Sequence, residues 1–119
     1  DMRIPIQYAL SFPDRFKSVF PRVDLVKLGQ LNFFDPDFET FPNLKLAYQA
    51  MEKGGNAPCV LNAGNEIAVK AFLNEKISFH DIFEINEKCL NNLAYKGSPT
   101  LDDYFGTDRE TRKFANSLI

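Results

Sequence analysis

Tryptophan is absent from this 119-residue chain, histidine occurs once (His80), and cysteine only twice, at Cys59 and Cys89. One histidine cannot build a multi-histidine metal site, and two distant cysteines supply neither a paired-thiol zinc motif nor a disulfide framework. Both cysteines fall in helix-like patterns and read as buried core thiols; no histidine stands ready to activate either. No apolar run approaches the roughly 18 residues of a membrane span. No stretch of basic residues opens the chain ahead of an apolar core and cleavage site. Fourteen basic and sixteen acidic side chains leave a formal net charge of -2, which argues against a dedicated nucleic-acid binder. Neither a Gly-x-Gly-x-x-Gly turn nor a Gly-x-x-x-x-Gly-Lys-Ser/Thr loop is present to cradle phosphates. No long alternation of apolar and polar residues competes for strand.

What is present is unevenly spread. Five of the seven prolines lie within the first 42 positions, and seven of the twelve phenylalanines lie between Phe12 and Phe41. Residues 1–34 carry five basic and three acidic groups, the remainder nine and thirteen. Proline opposes long helices and aromatic rings require burial, so the first third reads as an irregular Pro/Phe-rich arm that lies against another surface. Val23–Leu25 and Lys27–Phe33 are the pieces of it that could be extended. The opening Asp1-Met2-Arg3 reads as the middle of something longer. A boundary is expected near Asp35, with a compact body beyond it.

The body predicts helices. Thr40-Phe41-Pro42 starts one, with Leu44, Ala47 and Met51 at helical spacing and Lys53-Gly54-Gly55 as its stop. A second runs from about Pro58 to Asn74. Ser78-Phe79-His80-Asp81 opens a third, which carries Ile82, Ile85, Cys89 and Leu93 and ends at Lys96-Gly97. A short helix over Leu101–Phe105 is followed by a capping box, Thr107-x-x-Glu110, for a last helix with Phe114, Ala115 and Leu118 on one face. The fold class is therefore mainly all-α: a small antiparallel four-helix bundle preceded by an irregular linker arm. On the second helix Asn62, Asn65 and Glu66 share a stripe with Val69 and Leu73, while apolar residues fill most of the remaining circumference and leave Lys70 and Asn74 as the wet edge. That pattern predicts a surrounded helix, with the three polar residues partly inside and bonded to backbone groups of the arm or of a neighbouring helix end.

None of these residues assembles a reactive centre. His80 reads as a surface or capping residue, Asp35-Pro36-Asp37 as a turn, and Asp102-Asp103 as negative charge near a helix start. Glu66 is the group most open to a shifted pKa, with structural hydrogen bonding the plainer explanation.

Several motifs nevertheless occur in a telling order. Asp1-Met2-Arg3-x-Pro5-Ile6 resembles the Pro-Asp-Met-Arg-x-Pro-Ile segment of the 1-deoxy-D-xylulose 5-phosphate reductoisomerase family. Leu28-x-x-Leu31-x-Phe33 and Pro36-Asp37-x-x-x-Phe41-Pro42-x-Leu44-x-Leu46-Ala47 are similar to its linker and last domain. Leu61-Asn62-Ala63-Gly64-Asn65-Glu66-Ile67-Ala68-Val69 is similar to its Leu-Asn-Ala-Ala-Asn-Glu signature, with Gly64 where alanine is commoner.

The resemblance implies the C-terminal third of a homodimeric enzyme that uses NADPH and magnesium or manganese to make 2-C-methyl-D-erythritol 4-phosphate for isoprenoid biosynthesis. It implies that residues 1–12 end the catalytic domain, 13–37 form a linker and 38–119 the helical bundle. Met2 alone maps onto the substrate-pocket wall; the catalytic, metal and NADPH sites lie upstream, and none is expected in this chain. The upstream catalytic domain is the implied partner, and the cytoplasm, or a plastid, the implied compartment. The open alternative is an autonomous helical interaction or oligomerisation module. On either reading the arm predicts self-association of the isolated chain through residues 1–34.

Overall fold

A computed structural model describes residues 2–119. Among them are six helices and no strand: α1 (Arg3–Ser11), α2 (Leu25–Leu28), α3 (Pro42–Lys53), α4 (Ala57–Leu73), α5 (Phe79–Asn92) and α6 (Leu101–Asn116). The chain divides into two compact units at Asp35/Pro36, where the composition also changes.

The first unit is less irregular than its prolines suggest. Pro5 falls in the first turn of α1, where its missing N–H removes no helical bond, so nine residues coil despite it. Leu25–Leu28 is a single helical turn, not an extended piece; Asp24 caps it by accepting from Val26 N (3.1 Å) and Lys27 N (3.2 Å). Rings and cations hold the segment together: Arg3 stacks on Phe20 and Arg15 on Tyr8, each 4.5 Å from the ring centre. None of the described residues before Pro36 is buried. Asp1, the first residue of the opening motif, lies outside the described residues.

The second unit has its own core, made by Val60, Ala68, Ile82, Ile85, Cys89 and Ala115 with Phe72, Leu93, Phe114 and Leu118 packed around it. Helix α4 is its hub and touches α3, α5 and α6. It does so through small residues: Ala63 and Ala68 are wholly buried, and Gly64 lies so close to α5 that a Cβ there would sit 3.2 Å from Cys89 Sγ. Burying Ile82 and Ile85 against this surface stabilises the unit by roughly 2 kcal/mol each.

Two helix ends differ from the sequence reading. Helix α5 stops at Asn92 instead of continuing to Lys96, because residues beyond it are drawn off by Asn56. The Asn56 side chain is 1% exposed and donates to Ala94 O (2.9 Å) and Thr107 Oγ1 (3.2 Å) while accepting from Lys96 N (2.9 Å). Gly55 makes this approach feasible: its φ is +55° and a Cβ there would collide with Lys96 O.

The second difference is that α6 is one helix of sixteen residues, not two. Its capping box is Thr100 with Asp103, seven residues before the one expected at Thr107 and Glu110. Thr107 is instead buried mid-helix, where it serves Asn56 and its carbonyl accepts from Thr111 Oγ1 (2.7 Å). Gly106 interrupts the helical propensity but not the helix.

The caps carry the acid sensitivity. At α6, Asp103 bridges Lys96 and accepts from Thr100 N (2.9 Å), and these contacts, Lys96 first, hold its carboxyl well below the usual range. The Ser78 backbone N–H does the same for Asp81 at 2.6 Å. Folded values below unfolded ones mean that this stabilisation is complete above the ordinary carboxylate range and is lost as pH falls through the folded values.

Two predictions follow from this unit. Asn56→Ala should lower the unfolding free energy by roughly 3 kcal/mol, read by urea denaturation, because it strands three partners at the corner. Melting temperature should hold above about pH 5 and fall steadily below about pH 4, with Asp103→Asn making that acid limb shallower.

Candidate functional site

The polar stripe of α4 is the natural place to look for function, and it is more open than its periodicity implies. Asn62 and Glu66 are exposed, and Asn65 is half-buried. Asn65 and Glu66 pair with side chains, not with the backbone groups expected. Glu66 Oε2 accepts from Arg112 Nη2 of α6 at 2.7 Å, and Arg112 Nε also donates to Asp108, one turn earlier on α6, at 2.8 Å. Asp108 first and Glu66 second hold the guanidinium firmly charged. The wet face of α4 therefore takes in Pro58, Asn62 and Glu66 as well as Lys70, and is wider than the edge expected of a helix apolar nearly all round.

Asn65 belongs to a different arrangement. Asn86 of α5 is buried, and its Nδ2 donates to Asn65 Oδ1 (3.2 Å) and to Asn43 Oδ1 of α3 (2.9 Å), so one amide ties three helices. Its own Oδ1 has no hydrogen-bond partner among the described residues and lies against Gly64, where a Cβ would be 3.3 Å away. Asn86 was legible as an anomaly: it stands four residues after Ile82 on the apolar stripe of α5, and a polar residue there demands a partner. Asn43 and Arg112 carried no such signal.

Helix α3 turns an unexpected side inward. Leu46 and Ala50 are buried, while Leu44, Ala47 and Met51, which share the expected apolar face, are exposed. With Pro58 and Leu61 of α4 they line a groove of about 700 Å³ that also contains Asn43, Asn62, Asn65 and Asn86.

The remaining sequence candidates are dispersed. Met2, the residue before α1, is 72% exposed. His80 is exposed at the start of α5, edge-on to Phe79. Asp37 closes a turn by accepting from Glu39 N (3.0 Å) and Thr40 N (2.9 Å). Asp102 is exposed in the first turn of α6. Cys89 is a core thiol that burial pushes up to about 11, whereas Cys59 is only half-buried, with Sγ 3.7 Å from Tyr104 O. Among the described residues no three His, Cys, Asp or Glu side chains converge as metal ligands, and no helix is long and apolar enough to cross a membrane. Gly54 and Gly55 close a helix and do not form a phosphate-binding turn after a strand, so the residues present do not fit a metal or a dinucleotide.

These features define an all-helical domain organised on a small-residue hub, with an amide-lined groove and no assembled reactive centre among the described residues. A sequence model described as "DXP reductoisomerase C-terminal domain" matches residues 1–114. The chain belongs to that family. It is 48% identical over all 119 residues to 1-deoxy-D-xylulose 5-phosphate reductoisomerase of Phocaeicola vulgatus, of which it covers 31%. The Zymomonas mobilis reductoisomerase solved in complex with NADPH superposes with a TM-score of 0.82 at 44% identity, over 99% of this chain and 31% of that one. A DOX-P reductoisomerase in complex with magnesium superposes with a TM-score of 0.81 at 38% identity, over 99% of this chain and 32% of the other. The chain thus spans about a third of the length of the relatives it matches.

The open geometry of the stripe sets its energetics. Asn62→Ala should change stability by less than about 0.5 kcal/mol and Glu66→Gln by no more than about 1 kcal/mol, since the Glu66–Arg112 pair is exposed to solvent. Thermal melts of both variants check this; a loss above about 2 kcal/mol in either would mean that the residue is enclosed after all.

Proposed function

We propose that this chain is the C-terminal structural domain of an NADPH- and divalent-metal-dependent reductoisomerase that converts 1-deoxy-D-xylulose 5-phosphate to 2-C-methyl-D-erythritol 4-phosphate. The observation that carries the proposal is the match, at 48% identity over all 119 residues, to about a third of a reductoisomerase. In this reading residues 1–12 end the catalytic domain, 13–37 are the linker, and 38–119 form an antiparallel four-helix bundle that braces them. Met2 contributes an apolar wall to the substrate pocket, and Asn62, Asn65 and Glu66 are structural. NADPH and the metal are held by the part of the enzyme that precedes this domain. The whole enzyme works as a cytoplasmic homodimer.

The second reading, an autonomous interaction or oligomerisation module, draws on the exposed apolar residues before Pro36, among them Phe12, Phe16, Phe33 and Phe34. It differs in needing no upstream domain.

The two are separated by turnover. The isolated chain should not oxidise NADPH in the presence of the pentulose phosphate, whereas the same chain in place of the matching third of the Phocaeicola vulgatus enzyme should support it. A chimera that folds but stays inactive counts against the structural-domain reading. Light scattering of the isolated chain should show self-association that disappears when residues 1–34 are removed; a monomer at millimolar concentration would contradict this.

A further inference from the structure

The groove between α3 and α4 combines two features that a solvated surface does not require together. Its walls are apolar, with Leu44, Ala47 and Met51 opposite Pro58 and Leu61, yet its polar groups are all amides. The amides are also pre-set. Asn86 is 1% exposed, and its Nδ2 engages the Oδ1 atoms of both Asn43 and Asn65 from below. Their Nδ2 groups are thereby fixed as the outward ends, and neither has an acceptor among the described residues.

Two positioned N–H donors beside an apolar trough suit one kind of occupant well: an extended polypeptide segment. A helix commits its carbonyls to its own N–H groups, whereas an extended segment has carbonyls to offer and presents apolar side chains on one face at alternate positions. The source of that segment is indicated by length. The relatives run to about three times this chain, and the matching family is by description a C-terminal domain, so the additional polypeptide lies ahead of it.

We propose that the α3–α4 groove docks an extended apolar segment from the N-terminal two-thirds of the longer polypeptide, with Asn43 and Asn65 donating to its main-chain carbonyls. The proposal rests on the reading of this chain as the C-terminal part of a reductoisomerase.

Met51 is the reporter, because it lines the groove, is 68% exposed and reacts readily with hydroxyl radical; Phe105 on α6, 67% exposed and outside the groove, is the control. Oxidation rates are compared between the 119-residue chain and the Phocaeicola vulgatus chimera. Exclusion of water should slow Met51 about tenfold in the chimera and leave Phe105 unchanged. Asn43→Asp with Asn65→Asp keeps the oxygens that Asn86 needs and replaces only the outward donors with acceptors. That pair of changes should return Met51 in the chimera to near its rate in the isolated chain while the helical circular dichroism of the isolated chain persists.

Equal Met51 rates in chimera and isolated chain overturn the docking. Protection that survives the two aspartates overturns the role of the amides. Protection that grows with concentration in the 119-residue chain alone assigns the groove to a second copy and overturns the proposed occupant. Turnover reports separately: an inactive chimera with Met51 protected refutes the enzyme reading and keeps the groove, and an active one with Met51 open does the reverse.

Discussion

The close approach of α4 to α5 and α6 is the constraint on which the helical unit depends. It exists because α4 presents Ala63, Gly64, Ala68 and Ala71 where larger side chains would hold the helices apart. At Gly64 the margin is a few tenths of an ångström against Cys89 and Asn86. A hub made of small residues gains little from its own side chains. Its contribution is to let Val60, Ile82, Ile85 and Cys89 reach one another at interior packing density. The same proximity brings Asn86 within hydrogen-bonding range of α3 and α4, so the amide tie is a consequence of the hub.

The corner at Gly55-Asn56 fixes the other end of the hub. Asn56 holds the α5–α6 connection by its side chain, and its backbone N–H donates to Lys96 O at 3.0 Å. Tyr95 and Tyr104 reach the same corner, donating to Lys53 O at 2.9 Å and to Gly55 O at 3.3 Å. Side chains thus bond backbone that has left regular structure, which is how a short connection satisfies its polar groups without lengthening. The corner and the hub together hold α4, α5 and α6 in one packed unit, with the α3–α4 groove on its surface.

Much of this was legible because it depends on local rules. The Lys53-Gly54-Gly55 stop, the Ser78–Asp81 start and the Ile82–Ile85–Cys89 stripe each follow from neighbours within four residues. What was not legible depends on partners far along the chain. Thr107 looks like a helix cap until Asn56, fifty-one residues away, claims its hydroxyl. The end of α5 looks like Lys96 until the same asparagine takes Ala94 and Lys96. On α3 the periodicity marked Leu44, Ala47 and Met51 as apolar, correctly, but could not say that α4 and α5 would take the Leu46–Ala50 side instead. On α4 the periodicity marked apolar residues without showing that α3, α5 and α6 leave Pro58, Asn62 and Glu66 uncovered. The family motifs were readable as strings; the contacts that their asparagines make were not.

The central claim is that α4 holds a cooperative core which does not need the first unit. Native-state hydrogen exchange tests it most directly, on the full chain and on a version beginning at Pro36. The account predicts that amides from Ala63 to Ala71 exchange only through global unfolding, at the same free energy in both forms, while those between Pro13 and Asp24 exchange almost freely. Exchange in α4 through a lower-energy opening, or a marked loss of its protection when residues 1–35 are removed, would contradict it.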